Sequence, residues 1–156
     1  VKVSFRLKDT KAMRDMLNAK ANELSQSMLE EMGEIIIQML KDNIDLWYDT
    51  YDPIFYKRTG EILDAIKVLK IVNQPNMKYV EVYFDMSEIS AHHKIVLTPQ
   101  KDSFPFIIEE GWTMPNGVPR QGAHAFRDVY KELSSGEMRR RMYEFLKSKG
   151  YDVTFK

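Results

Sequence analysis

The chain has 156 residues, enough for one domain with a single core, and its 23 basic residues balance 23 acidic ones. That balance leaves no overall electrostatic footprint for nucleic acid or an anionic membrane. The lack of cysteine excludes disulfide frameworks, thiolate zinc sites and cysteine nucleophiles, and no stretch approaches the ~18 apolar residues of a membrane span.

The opening VKVSFRL alternates Val1, Val3, Phe5 and Leu7 with Lys2, Ser4 and Arg6, the pattern of a half-buried strand, and lacks the apolar run of a signal peptide. Asp9 or Thr10 can cap a helix starting there. From Lys11 to Trp47 there is no proline and only Gly33 interrupts, so the spacing predicts one long helix. Met13, Leu17, Leu24, Met28, Met32, Ile35, Met39 and Leu46 fall within one stripe roughly 100° wide, with Glu23, Glu30, Glu34, Lys41 and Asp45 opposite. Ile36, Ile37, Leu40, Ile44 and Trp47 make the second half apolar nearly all round. Either a sheet and other helices enclose it, or another subunit does. At ~1.5 Å per residue such a helix is about 55 Å long, so it bends near Gly33 or projects.

Residues 51 to 68, YDPIFYKRTGEILDAIKV, bring Tyr51, Phe55 and Tyr56 together just after Tyr48. Pro53 ends the helical region, and the aromatics pack over the corner it makes. Arg58, Thr59 and Gly60 read as architectural, with Thr59 placed to cap a short helix reaching about Ala65. IKVLKIVN and KYVEVYFD then alternate on either side of a turn at Asn73, Pro75 and Asn76, which predicts an antiparallel hairpin. HKIVLTP predicts a third strand, and FPFIIEEGW suits a short helix or an extended edge.

Residues 111 to 123, GWTMPNGVPRQGA, hold three glycines and two prolines and read as one long irregular loop. Trp112 beside Met114, flanked by Arg120, is the residue mix of an interface anchor. The alternative folds Trp112 back onto the sheet as a core plug. HAFRDVYKEL then starts a helix. Ser134 and Glu137 have capping-box spacing for a last helix to about Lys149, with Met138, Met142, Phe145 and Leu146 on its buried stripe. Gly150 stops it, and YDVTF alternates as a final strand. The expected fold is α+β, a single domain over residues 1–156. An antiparallel meander of at least three strands packs with the long N-terminal helix and a C-terminal helix.

Metal and catalytic chemistry find little support. His92 and His93, adjacent on a strand, point to opposite faces, and His124 stands alone beyond the loop. Arg139, Arg140 and Arg141, with Lys131, Lys147 and Lys149, offer a phosphate clamp. However, Glu137 to Arg141 and Arg140 to Glu144 are i,i+4 pairs, the mark of a solvated helix face. Glu109 and Glu110 lack a second carboxylate at defined spacing. No phosphate-binding glycine loop, nucleophile elbow or dinucleotide fingerprint is present, so no catalytic residue and no cofactor is expected.

A long amphipathic helix leading through aromatics and a Y-x-R-T-G-x-(I)L-x-x-I segment into a β-meander resembles bacteriophage head–tail connector and tail-completion proteins. Tyr56, Arg58, Thr59, Gly60, Leu63 and Ile66 carry the first motif, with Ala65 where serine is common. Ile107, Ile108, Glu109, Glu110 and Gly111 match a later apolar-acidic segment closed by glycine, and Ala123, His124, Ala125 and Phe126 match the segment opening the last helix. The resemblance implies a non-catalytic, cofactor-free subunit of the virion neck or upper tail. Such a subunit is made in the host cytoplasm and forms a homo-oligomeric, often hexameric ring that contacts other neck or tail proteins. Two competing readings are a nucleic-acid-binding accessory protein using the basic last helix, and a small enzyme or toxin with its site in the 111–123 loop and a histidine.

Overall fold

The computed structural model describes residues 10–50, 60–89, 108–113 and 117–154, with backbone alone at 10–14, 16, 17 and 112. Helix α1 runs Thr10–Asp49 and a single-turn helix α2 spans Glu61–Asp64. Strands β1 (Ile66–Gln74) and β2 (Met77–Phe84) pair antiparallel around Pro75 and Asn76. Strands β3 (Gly111–Thr113) and β4 (Pro119–Gln121) form a second small hairpin, and helices α3 (Ala125–Ser134) and α4 (Glu137–Ser148) complete the chain. The fold is α+β: a long N-terminal helix, an antiparallel hairpin and C-terminal helices.

Helix α1 passes through Gly33 without a break. A Cβ on Gly33 would lie 2.8 Å from Val68 Cγ2 and 3.2 Å from Val80 Cγ2, so the missing side chain lets the β1–β2 sheet lie directly on the helix. Ile35, about 200° further round, lines a groove with Arg141, Phe145 and Ser148 of α4. The helix is therefore enclosed by the sheet on one side and the C-terminal helices on the other, which is why its second half is apolar nearly all round. Leu40 and Ile44 are the most deeply buried large side chains on it. Each contributes roughly 1.5–3 kcal/mol by its burial. Leu46, expected on the buried stripe, is instead 67 % exposed, although Ile35 and Met39 on the same stripe are buried.

A bulge between Val68 and Lys70 sets the sheet's orientation: Val68 pairs with Val82, but Lys70 already pairs with Glu81. The extra residue, Leu69, is largely exposed. Val68 and Val80 both face α1, and Val80 stands opposite Ile71, so the inward positions step by three across the bulge. At the hairpin's far end the Asn73 side-chain amide donates to the Asn22 carbonyl at 3.0 Å, and Lys78 donates to Ser25 Oγ at 2.6 Å.

Several expectations need correction. The 111–123 stretch is not wholly irregular, because Trp112 pairs with Arg120 and Gly111 with Gln121 in a hairpin. The Ser134 and Glu137 capping box is not formed: Ser134 still belongs to α3 and donates to the Tyr130 carbonyl, while Gly136, at φ 97°, occupies the cap position of α4. Residues 151–154 form no strand, whereas Gly150, at φ 83°, does end the helix as expected. The β1–β2 sheet has two strands among the described residues. The expected strands at Val1–Leu7 and in HKIVLTP lie outside them.

Candidate functional site

Residues 108–111 and 120–127, on either side of the β3–β4 turn, meet beside the end of α1. Ala123 N donates to the Ile108 carbonyl at 2.6 Å and His124 N to the Glu109 carbonyl at 3.2 Å. The Glu109 side chain then reaches helix α3: Oε2 accepts from Phe126 N and Oε1 from Arg127 N, both at 2.9 Å. A helix leaves its first N–H groups without intrahelical partners, and a carboxylate there satisfies them while opposing the positive end of the helix dipole. The cap is thus supplied from 17 and 18 residues away. His124 at the local cap position makes no side-chain capping bond and holds φ 54°, a left-handed conformation uncommon outside glycine.

The approach is close because of two glycines. A Cβ on Gly122 would sit 2.2 Å from the Glu109 carbonyl oxygen, and one on Gly111 would sit 2.2 Å from the Arg120 carbonyl oxygen. Gly111 also holds φ 85°. Beneath this node Ile108 and Ala125 are buried in the core. Phe126 leaves it to meet Phe84 edge-on, with ring centroids 5.5 Å apart.

Trp47 fastens the same hairpin to α1. Its indole Nε1 donates to the Gln121 carbonyl at 2.7 Å, and the Arg120 guanidinium lies 4.6 Å over its ring. Of the residues expected at an interface, Arg120 therefore stacks on this chain's own Trp47. Trp112 occupies the β3 position opposite it, and Met114 lies outside the described residues. Val118, on the far side of the turn, is exposed.

Of the Arg58-Thr59-Gly60 motif, only Gly60 falls within the described residues. It takes the cap position of α2 itself, at φ 80°, so the first-turn N–H groups of Leu63 and Asp64 find the Gly60 carbonyl rather than a side chain. Ala65 is wholly buried and its carbonyl accepts from Asp85 N at 2.6 Å.

The basic last helix is locally neutralised. Arg140 bridges Glu137 and Glu144, and Arg141 also bonds Glu137 at 2.8 Å. These two guanidiniums hold the Glu137 carboxyl down to about 2. Lys147 and Lys149 lie over the rings of Tyr143 and Phe145. His124 has no carboxylate or histidine companions in a metal-binding arrangement, and no group of three such ligands occurs among the described residues. His92 and His93 lie outside them. No described helix is long and apolar enough to cross a membrane.

Sequence reasoning finds no acid/base pair at Glu109 and Glu110, places both in the segment that resembles the connector class, and misses the capping role of Glu109. The available signal is a helix beginning Ala-His-Ala-Phe with no Ser, Thr, Asp or Asn to cap it, which calls for a cap from elsewhere. Glu109→Gln keeps the shape but turns an amide N–H₂ toward a backbone donor. The substitution is expected to cost about 1–2 kcal/mol, read as a lower midpoint in urea with an unchanged slope. An unchanged midpoint would show that water caps α3 equally well.

Comparison with protein-family models, curated proteins and solved structures finds no match to this chain.

Proposed function

We propose that this chain is a structural subunit of a tailed bacteriophage. It acts in virion assembly as a ring-forming head–tail connector or tail-completion protein and does no catalysis. One observation carries the reading. The two later segments that resemble this class, Ile108 to Gly111 and Ala123 to Phe126, are bonded to one another through Glu109 and two backbone hydrogen bonds. The β3–β4 hairpin between them brings the two segments together, and the Glu109 carboxylate on the first turn of α3 fastens them as parts of one scaffold. The node joins the end of α1, the β3–β4 hairpin and the C-terminal helices, a suitable anchor for a projecting contact element. In this reading the hairpin bearing Trp112, Met114 and Arg120 meets neighbouring copies or another neck protein, with Val118 exposed at 51 % beside it.

Sedimentation velocity over rising concentration, with electron microscopy of the largest species, tests the proposal. The expected result is a closed ring, with assembly lost and the melting temperature kept in a Trp112→Ala, Met114→Ala variant. A chain that stays monomeric at every concentration overturns the ring. A ring untouched by the double variant removes the hairpin from the contact.

A further inference from the structure

Helix α3 turns two aromatic rings toward solvent. Ala125, Val129 and Leu133 take its inner face and pack into the core. Phe126 and Tyr130, one turn apart, are exposed, Tyr130 at 72 %. Arg127 and Lys131, also exposed and one turn apart, form the next row round the helix. Both cations share one carboxylate: Asp128 Oδ1 lies 3.6 Å from Arg127 Nε and 3.0 Å from Lys131 Nζ. An aromatic row thus stands beside a row with one positive charge in excess. Exposed tyrosine and phenylalanine next to arginine is the composition of an interface anchor.

The C-terminal half of α1 carries the complement. Leu46 is exposed, with Asp42 four residues before it, Asp49 three after it and Asp45 alongside, all exposed as well. Like charges at these spacings repel one another. Asp42 accepts from Gln38 Nε2 at 2.6 Å, and among the described residues no cation pairs with any of the three carboxylates. Lys41 is the one basic residue of α1 after Lys20, and it is half-buried. At 100° per residue these four side chains lie roughly 120–180° round the helix from Gly33, the position under the sheet. Phe126, by contrast, meets Phe84 at the end of β2. The two patches therefore face different ways, and neither covers the other within one chain.

We infer that the Phe126–Tyr130 patch of one chain docks on the Leu46 patch of a second copy, with Leu46 against the rings and Asp42 and Asp49 against Arg127 and Lys131. The inference rests on the self-assembly reading and names the contact. On both helices an apolar row runs beside a charged row, so a single helix pairing joins apolar to apolar and cation to anion. The two surfaces differ, so the contact is head-to-tail and passes from copy to copy until a ring closes. A nucleic acid fits the patch less well, because Asp128 and Glu132 stand beside its two cations and would oppose a phosphate backbone.

Sedimentation velocity at low and high salt, with thermal melts of every variant, tests the contact. The wild-type chain is expected to assemble, and added salt to weaken assembly. Tyr130→Ala and Leu46→Ser should each raise the concentration needed at least about tenfold with an unchanged melt. Arg127→Glu with Lys131→Glu, and Asp42→Lys with Asp49→Lys, should each fail to assemble alone. An equimolar mixture of these two reversed chains should associate, because each offers the charge that the other lacks. Single variants that assemble like wild type, or reversed chains that stay apart when mixed, overturn this contact and leave self-assembly standing. A wild-type chain that never associates overturns both. A lowered melt in Tyr130→Ala returns that ring to the chain's own core and overturns the contact. Variants of the α3 patch that assemble normally but lose salt-sensitive binding to single-stranded DNA reassign it to nucleic acid and overturn the inference.

Discussion

Gly122→Ala is expected to lower the melting temperature by about 6–12 °C, the equivalent of about 3 kcal/mol in a chain of this size. The added Cβ would sit 2.2 Å from the Glu109 carbonyl oxygen, 2.6 Å from its carbonyl carbon and 2.6 Å from Gly111 N. All three are backbone atoms, so no side-chain rotation relieves the clash. The Glu109 segment cannot withdraw without stretching the His124 N–H bond to its carbonyl and the Ala123 bond to Ile108. Withdrawal also pulls the Glu109 carboxylate from the first N–H groups of α3. Two backbone hydrogen bonds at about 1 kcal/mol each, with a cap of similar worth, give the estimate. Gly117→Ala is the control. Gly117 holds φ 79° with nothing within 4 Å of its missing Cβ, so it tests left-handed strain alone, about 1–2 kcal/mol. A Gly122→Ala chain that melts no lower than Gly117→Ala would mean the two segments are not in contact.

The elements that rest on local periodicity were legible in the sequence. The unbroken run from Lys11 to Trp47 gives α1, the alternation on either side of Pro75 and Asn76 gives the hairpin, and the 3.6-residue spacing of Met138, Met142 and Phe145 gives the last helix. Features set by contacts between distant residues were not legible. In IKVLKIVN strict alternation carries Ile66 and Val68 on to Lys70, a break in the pattern, but only the partner strand shows it to be a bulge at Leu69. Trp47 lay outside the apolar stripe, yet it holds the β3–β4 hairpin through a carbonyl 74 residues away. The Ser134 and Glu137 pair met the capping spacing, but Gly136 reaches a left-handed φ more easily and stops one helix and starts the next. Glu109 shows the same limit at the candidate site, since a cap supplied from 17 residues away leaves only the missing local cap as its trace.

Gly33 gives the other large expected effect. An exposed helical glycine replaced by alanine stabilises by about 1 kcal/mol, so propensity alone predicts a gain. Here the new methyl would lie 2.8 Å from Val68 Cγ2 and 3.2 Å from Val80 Cγ2. Both neighbours are β-branched and stiff at χ1, so neither can swing away cheaply. Overpacking costs about 1–3 kcal/mol, so Gly33→Ala should come out neutral to destabilising by about 2 kcal/mol. Gly33→Leu, with three more carbons in the same gap, should lose about 3 kcal/mol or more by lifting the sheet from the helix. Val68→Ala separates this from any other cause. On its own it removes two packed methyls and destabilises. Beside Gly33→Ala it clears the space the new methyl needs, so the pair should couple favourably by about 1 kcal/mol in a double-mutant cycle of urea melts. A Gly33→Ala chain that melts above wild type, with no coupling to Val68, would place the hairpin farther from α1 and leave the glycine as a hinge.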